Sequence, residues 1–371
     1  MRLKFLAIAG FRNLEAVRIE PGKRFNLFYG LNGQGKTNLL EAVYLLGNTR
    51  SFRSARLPEY IRHGQPQAWI QGEIDYAGIQ STIKVTLEHA GRRVELDGKP
   101  LQRASDLHGR LNAVVFSPDD TGMVRSGPES RRRYLDRAVY VGDIGYLHCW
   151  HSYHRVLKQR NHLLKSAERA GLDTWTEQLA LAGAEVIERR LQFVSQLNEI
   201  MQCHYATISG GSETAGIVYK PEGIQAVRRE GIFPQLMDLF TRHSRSDERF
   251  GTTTAGPHRD DVHFSLDGRS LKAFGSQGQQ KSFILALKMA EMENLQSTFE
   301  EPPLLLLDDM SSELDSRRHG NLMDFLTSRD VQVFMTTTER SPALLGHAAA
   351  HCSIFHVQGG NLTFEGNESH E

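Results

Sequence analysis

The sequence predicts an α/β protein: a core built on a mixed sheet, split by an inserted, mainly helical second domain. Three observations predict it. A glycine-rich octapeptide, Gly30-Leu31-Asn32-Gly33-Gln34-Gly35-Lys36-Thr37, stands between an apolar run, Phe25 to Tyr29, and a helical one, Asn38 to Val43. Far downstream, Leu304-Leu305-Leu306-Leu307-Asp308-Asp309 has the pattern of a buried strand that ends in carboxylates. Between the two, the hydrophobic period changes from that of strands to that of helices.

Each element follows from local pattern. From Met1 to about Phe116 short strands recur: Leu3 and Phe5, then Phe25 to Tyr29, then Ile70, Ile74 and Tyr76, then Ile83, Val85 and Leu87, then Val94 and Leu96 before an Asp97-Gly98 turn. The opening run, Met1 to Ala9, reads as a first strand, because Arg12 cuts the apolar stretch short and no cleavage site follows. From roughly Asp143 to Ile208 the period is helical, with Ile187, Leu191, Val194 and Met201 on one face of a helical pair. After Thr252 strands return. Leu304 to Leu307, a helix from Asp315, Val331 to Met335, and a hairpin from Ser353 to Phe364 turned at Gly359-Gly360 complete the alternation. The expected domains are residues 1–118 and 252–371 for the two parts of the core and 119–251 for the helical insertion.

With 371 residues, 39% of them hydrophobic, the chain can bury a large core. No apolar stretch is long enough to span a bilayer, so no membrane association is expected. Cys149, Cys203 and Cys352 lack paired spacing, and a reducing cytoplasm fits them. His148, Cys149, His151 and His154 are close together but have no second ligand pair at finger spacing, so a zinc site is not expected.

The octapeptide satisfies the phosphate-loop pattern. Its glycines let the backbone wrap phosphates, and the amides at the helix start face the anion. Lys36 reaches the β- and γ-phosphates, and Thr37 offers a hydroxyl to Mg2+. Asp308 is the expected metal-side acid, and Asp309 falls where a carboxylate orients the attacking water. Many related ATPases use the longer Glu there, so slow turnover is expected. No guanine-selecting Asn-Lys-x-Asp motif occurs, which argues against a GTPase using the same loop, and ATP with Mg2+ is the expected cofactor pair. Ser276-x-Gly278-Gln279, ahead of a helical run, resembles the signature motif of ABC-type ATPases, which contacts the γ-phosphate held by the opposite subunit. That resemblance implies a homodimer. Ser311 to Asp315, with Ser312 and Asp315, resembles the D-loop, and Thr338 stands at the switch position, where transporter ATPases usually carry His.

Further segments carry a fuller resemblance: Gly10-Phe11-Arg12-Asn13, Phe116-Ser117-Pro118-Asp119-Asp120, Gly127-Pro128 through Arg131-Arg132-Arg133-Tyr134-Leu135-Asp136, and Thr254-Ala255-Gly256-Pro257-His258-Arg259-Asp260-Asp261. Nearly end to end, the chain resembles the bacterial RecF family, recombinational-repair ATPases related to the SMC and ABC heads. The resemblance implies an ABC-type ATPase head, dimerisation on ATP, a weak DNA-stimulated ATPase, and roles in DNA replication, repair and the SOS response. It also implies binding to double-stranded and gapped DNA, with RecO- and RecR-type partners that help load recombinase. By the same resemblance Arg12 and Asn13 lie near adenine. An ABC-type transport subunit or an SMC-like chromosome-structuring ATPase is the alternative, but the insertion is too short for a long coiled coil and Thr338 replaces the transporters' His. Because net charge is zero, DNA contact requires a local basic surface. Two segments offer one: Arg125, Arg131, Arg132, Arg133 and Arg137, and Arg155, Lys158, Arg160, Lys165 and Arg169.

Overall fold

Alternating burial from Arg2 to Pro100 builds a six-stranded antiparallel sheet, ordered β2-β1-β4-β5-β6-β7. Its strands are β1 (Arg2–Phe11), β2 (Leu14–Ile19), β4 (Gln67–Tyr76), β5 (Ile79–Glu88), β6 (Gly91–Leu96) and β7 (Lys99–Pro100). Asp97 and Gly98, at φ 51° and 74°, make the two-residue turn between the last two, a backbone twist that matches that of the flanking strands. These elements come from a computed structural model that describes residues 1–49, 51–53, 56–166, 170–309, 316–340 and 352–367.

The near-continuous apolar runs form a second, mixed sheet: β3 (Phe25–Tyr29), β8 (Ala113–Phe116), β12 (Leu304–Leu307), β13 (Val333–Thr337), β14 (Cys352–Gln358) and β15 (Asn361–Asn367). The order is β15-β14-β3-β13-β12-β8, with β15 antiparallel and the other five parallel. Parallel strands need both faces covered. Helix α1 (Lys36–Asn48) supplies part of that cover. It touches β1, β4 and β5 of the first sheet and β8 and β13 of the second, and Leu39, Leu40, Val43, Leu45 and Leu46 are fully buried on it. Phe28 stacks between Phe334 and Phe355 on the neighbouring strands, with centroids 6.2 and 5.0 Å away.

Both sheets lie in one compact unit, Met1–Thr121 with Glu291–Glu371; a second unit spans Gly122–Ala290. Helices α2 (Pro118–Arg125) and α8 (Gln277–Phe299) each run across one of these boundaries. The second unit holds α3 (Pro128–Gly142), α4 (Ile144–Lys165), α5 (Leu172–Ser209), α6 (Arg229–Phe250) and α7 (Leu271–Phe274). It also holds β9 (Ala215–Lys220), β10 (Asp261–Leu266) and β11 (Arg269–Ser270), in the order β11-β10-β9. The unit therefore extends past residue 251, the expected end of the insertion. The reason is long-range pairing: β10 lies along the whole of β9, from Asp261 opposite Lys220 to Leu266 opposite Ala215.

This second unit is held by buried charge as well as by apolar packing. Arg190, 2% exposed, donates to Asp136 (2.6 Å), the Pro257 carbonyl (2.7 Å), Tyr146 (2.9 Å) and Tyr219 (3.3 Å). Arg160 donates to Asp247 and Thr253, both at 2.7 Å. The Thr254–Asp261 segment turns inward onto these groups. Thr254 donates to Asp247, His258 meets Tyr153, and Asp260 accepts from Tyr219 and the Glu222 amide. Burial raises the pKa of Asp260 even so. Each nitrogen of Arg190 has a partner, which is the condition for keeping such a group inside.

Candidate nucleotide-binding site

Strand β3 delivers the chain into the Gly30–Thr37 loop, and Lys36 opens α1. Gly35 caps that helix at φ 113°, and a Cβ there would stand 2.8 Å from Asn13 Oδ1, so both the conformation and the space demand glycine. Lys36 is 7% exposed; its Nζ donates to the Gly30 carbonyl (2.5 Å) and the Leu31 carbonyl (2.9 Å). Burial lowers its pKa, against the opposing pull of Asp309 and Asp308. Two hydroxyls converge on Asp308 Oδ1: Thr37 Oγ1 at 2.9 Å and Thr336 Oγ1 at 2.8 Å. Burial raises the pKa of Asp308; the two threonine bonds oppose the rise and neighbouring Asp309 adds to it. Asp309 adopts the left-handed conformation, φ 48°, with its amide donating to Thr336 Oγ1 at 2.9 Å. A non-glycine residue held there marks a backbone over-determined by its surroundings.

The donor set fits magnesium in one particular way. Among the described residues no cluster of three or more His, Cys, Asp or Glu could cage a metal by itself. One carboxylate and one hydroxyl at a phosphate loop are instead what Mg2+ uses when nucleotide phosphates supply the remaining oxygens.

Several contacts were not foreseen from sequence. Thr336 touches Asp308, and Thr338, at the expected switch position, lies just beyond the end of β13. The turn between β14 and β15 rests on the phosphate loop: Gly359 N–H donates to Gln34 Oε1 (2.6 Å) and Gly360 N–H to the Gln34 carbonyl (2.9 Å). A Cβ at Gly360, φ 82°, would meet the Asn13 carbonyl at 2.3 Å, and the Gly-Gly pair in sequence was the available signal. Arg12, expected near adenine, gives its guanidinium to buried Glu41 through two bonds of 2.8 and 2.7 Å and lies over the Tyr60 ring. Asn13 accepts from Asn38 at 2.8 Å and flanks Gly33 and Gly35. Both residues therefore brace the loop and its helix.

The Ser276 segment belongs to the second unit. Ser276 and Gln279 form a reciprocal cap on α8: the Gln279 amide donates to Ser276 Oγ (3.2 Å) and the Ser276 amide to Gln279 Oε1 (2.7 Å). Gln279 Nε2 then donates to Glu213 (2.5 Å), whose other oxygen accepts from the buried hydroxyl of Tyr205 (2.7 Å). Gly278 is half-buried and Ser276 exposed. Ser312 and Asp315 of the expected D-loop lie outside the described residues.

The chain's sequence matches the profile of the RecF/RecN/SMC N terminal domain over residues 2–363. It is 49% identical over 367 residues to the DNA replication and repair protein RecF of Trichlorobacter lovleyi, with 99% of each chain covered. The chain belongs to the RecF family of DNA replication and repair proteins. RecF of Geobacter metallireducens is 49% identical over 360 residues, covering 96% of this chain and 98% of that one. A solved structure of the recombination mediator protein RecF-ATPrS in the RecFOR pathway superposes with a TM-score of 0.90 at 30% identity, covering 98% of both chains. The RecF-ATP structure gives 0.89 at 30% identity, over 98% of this chain and 99% of that one. An Smc head bound to the C-winged helix domain of ScpA shares the fold, at a TM-score of 0.57 and 16% identity.

In this RecF-family chain the basic segments divide sharply. Arg131 is 7% exposed and bound twice to Asp261, at 2.9 and 2.7 Å, and Arg160 is 3% exposed and paired with Asp247, so neither is free to follow phosphates. Arg132 donates to the Asp260 carbonyl, Arg125 to Gln280, and exposed Arg133 to Glu129 one turn earlier. Arg155, Lys158 and Lys165 point outward. Arg169 lies outside the described residues.

Proposed function

We propose that this chain is an ATP-dependent DNA-binding repair protein that closes as a dimer around ATP, hydrolyses it slowly, and acts with RecO- and RecR-type partners to help load recombinase at gaps. The observation that carries the reading is the convergence of Thr37 and Thr336 on Asp308 beside the buried Lys36. A phosphate loop, a cation at its base and an oriented carboxylate are the minimum for holding a triphosphate with its metal. The relatives named for RecF with ATP and for the RecFOR pathway support ligand and partners alike.

In this scheme residues Gly30 to Thr37 cradle the β- and γ-phosphates, and the Lys36 ammonium exchanges two loop carbonyls for phosphate oxygens. Thr37 and Asp308 would hold Mg2+, which when bound would neutralise phosphate charge. Asp309 orients the attacking water. Thr336, bonded to both Asp308 and the Asp309 amide, holds the two carboxylates in register. Ser276, Gly278 and Gln279 of a second copy seal the γ-phosphate, so ATP binding stabilises the dimer by mass action. Among the described residues no helix is long and apolar enough to cross a membrane, and we place the protein's work in the cytoplasm.

Sedimentation with ATP, with ADP and without nucleotide tests the scheme. ATP should convert monomer to dimer in the wild type but not in Ser276→Arg, which should still bind ATP as a monomer. A wild-type mass that ignores ATP would reject the shared site.

A further inference from the structure

Helix α4 has an outer face of one-sided composition. Its 22 residues include no Asp or Glu, and each exposed position on it is His, Arg, Lys, Ser or Gln. His148, His151, Arg155, Lys158, His162 and Lys165 succeed one another at steps of three and four residues, which sets them on one side of the helix. At a rise of about 1.5 Å per residue the row is roughly 25 Å long. Among the described residues Arg155, Lys158 and Lys165 have no acidic partner, whereas Arg160 on the inward side of the same helix is paired with Asp247. Like charges one turn apart repel, and nothing on α4 offsets them. A polyanion would.

The row ends beside the C-terminal end of α6, which carries an exposed aromatic ring. Phe250, the last residue of α6, is 63% exposed, although that helix buries Ile232, Leu236, Leu239 and Phe240. The Arg249 guanidinium lies 5.5 Å from its ring centroid. A Cβ added at Gly251 would meet Lys165 Cγ at 3.2 Å, so the last lysine of the row abuts the residue that follows Phe250. An acidic peptide would use the cations and leave the ring idle; a nucleic-acid strand uses both, phosphates on the cations and a base face on the ring.

We propose that the outer face of α4 together with Phe250 is a nucleic-acid contact surface, in which Arg155, Lys158 and Lys165 follow the phosphates and Phe250 stacks an unpaired base. The proposal rests on the DNA-binding reading above and adds to it the surface and the strand state recognised. The test uses the full chain with a labelled oligothymidylate and a blunt duplex of equal length, each titrated with salt. Arg155→Glu/Lys158→Glu/Lys165→Glu should weaken binding to both and lower the slope of log affinity against log salt by about 2 to 3, at about 0.7 to 0.9 per lost phosphate contact. Phe250→Ala should weaken oligothymidylate binding by roughly 5- to 150-fold, the range of a base–aromatic stack, and leave the duplex unchanged. Arg133→Glu, an exposed charge reversal elsewhere, should leave the slope alone. Melting temperature and DNA-free ATP turnover should match the wild type in every variant; if charge reversal lowers melting, the triple glutamine variant replaces it. An unchanged slope in the triple variant overturns the phosphate track, and equal loss on both DNAs in Phe250→Ala overturns the stacking platform. A wild type that binds neither DNA instead overturns the reading beneath them.

Discussion

The phosphate loop and the core of the second unit treat charge in opposite ways. At the phosphate loop, Lys36 is held by two backbone carbonyls that a phosphate can replace, and Asp308 by two hydroxyls that a cation can share. In the second unit Arg190 and Arg160 are bound by carboxylates, hydroxyls and a carbonyl whose own positions depend on them. A charged side chain is available for chemistry where its partners are weak and exchangeable. It is part of the scaffold where its partners are buried and depend on it in turn.

That contrast can be broken by experiment. Arg190→Met would leave Asp136 without its cation and should cost about 3–5 kcal/mol of stability, as when one partner of a buried pair is removed; urea unfolding measures it, and a cost below about 1 kcal/mol would deny the scaffold role. Lys36→Arg keeps the charge but not the fit. Steady-state turnover should fall about 10²- to 10³-fold while the melting temperature stays put.

His258 sharpens the comparison through pH. Its Nε2–H donates to the Thr253 carbonyl at 3.0 Å and its Nδ1 lies 2.6 Å from the Tyr153 hydroxyl, so the ring is held from both sides. Burial, ahead of the nearby arginines, lowers its pKa to about 4. Since that lies below the unfolded value of about 6.5, its stabilisation is complete above the unfolded value and is lost as pH falls from there towards the folded one, by about 3 kcal/mol in all. His258→Asn should flatten that part of the stability–pH curve measured by urea unfolding, and an unaltered curve would exclude this histidine as its source.

Glu213→Ala should free Gln279 and weaken ATP-driven association by roughly three- to tenfold, about one hydrogen bond's worth, with Glu213→Gln restoring it. Analytical ultracentrifugation reads this, while ATP affinity of the monomer should not move. The smallest effect belongs to Arg133→Ala. An exposed pair one turn apart is worth about 0.3–0.5 kcal/mol, so its melting curve should overlay the wild type.

Local pattern carried much of this into view from sequence. The octapeptide, the Leu304–Leu307 strand, the helical pair now seen as α4 and α5, and the Gly359-Gly360 turn are each written in a few consecutive residues. What stayed hidden depends on register and long-range pairing. Three threonines in a row look alike until β13 is set against β12, with Met335 opposite Leu307; Thr336 then falls beside Asp308. Arg131 and Arg160 read as surface cations because their acids, Asp261 and Asp247, are distant in sequence and reach them only by folding. The second-unit boundary was displaced for the same reason, the pairing of β9 with β10.

The strand that feeds the phosphate loop is made early, yet its neighbours on either side, β13 and β14, are made only after the whole second unit. Until residue 359 has left the ribosome, β3 lacks its complete ladder on one flank and the loop its Gly359 amide to brace Gln34. Such non-local closure slows folding and leaves an apolar strand waiting in the nascent chain. Competence to hold nucleotide is thus acquired only once β14 and the turn after it have emerged, and a ribosome-bound fragment stopped before β14 should have no working loop.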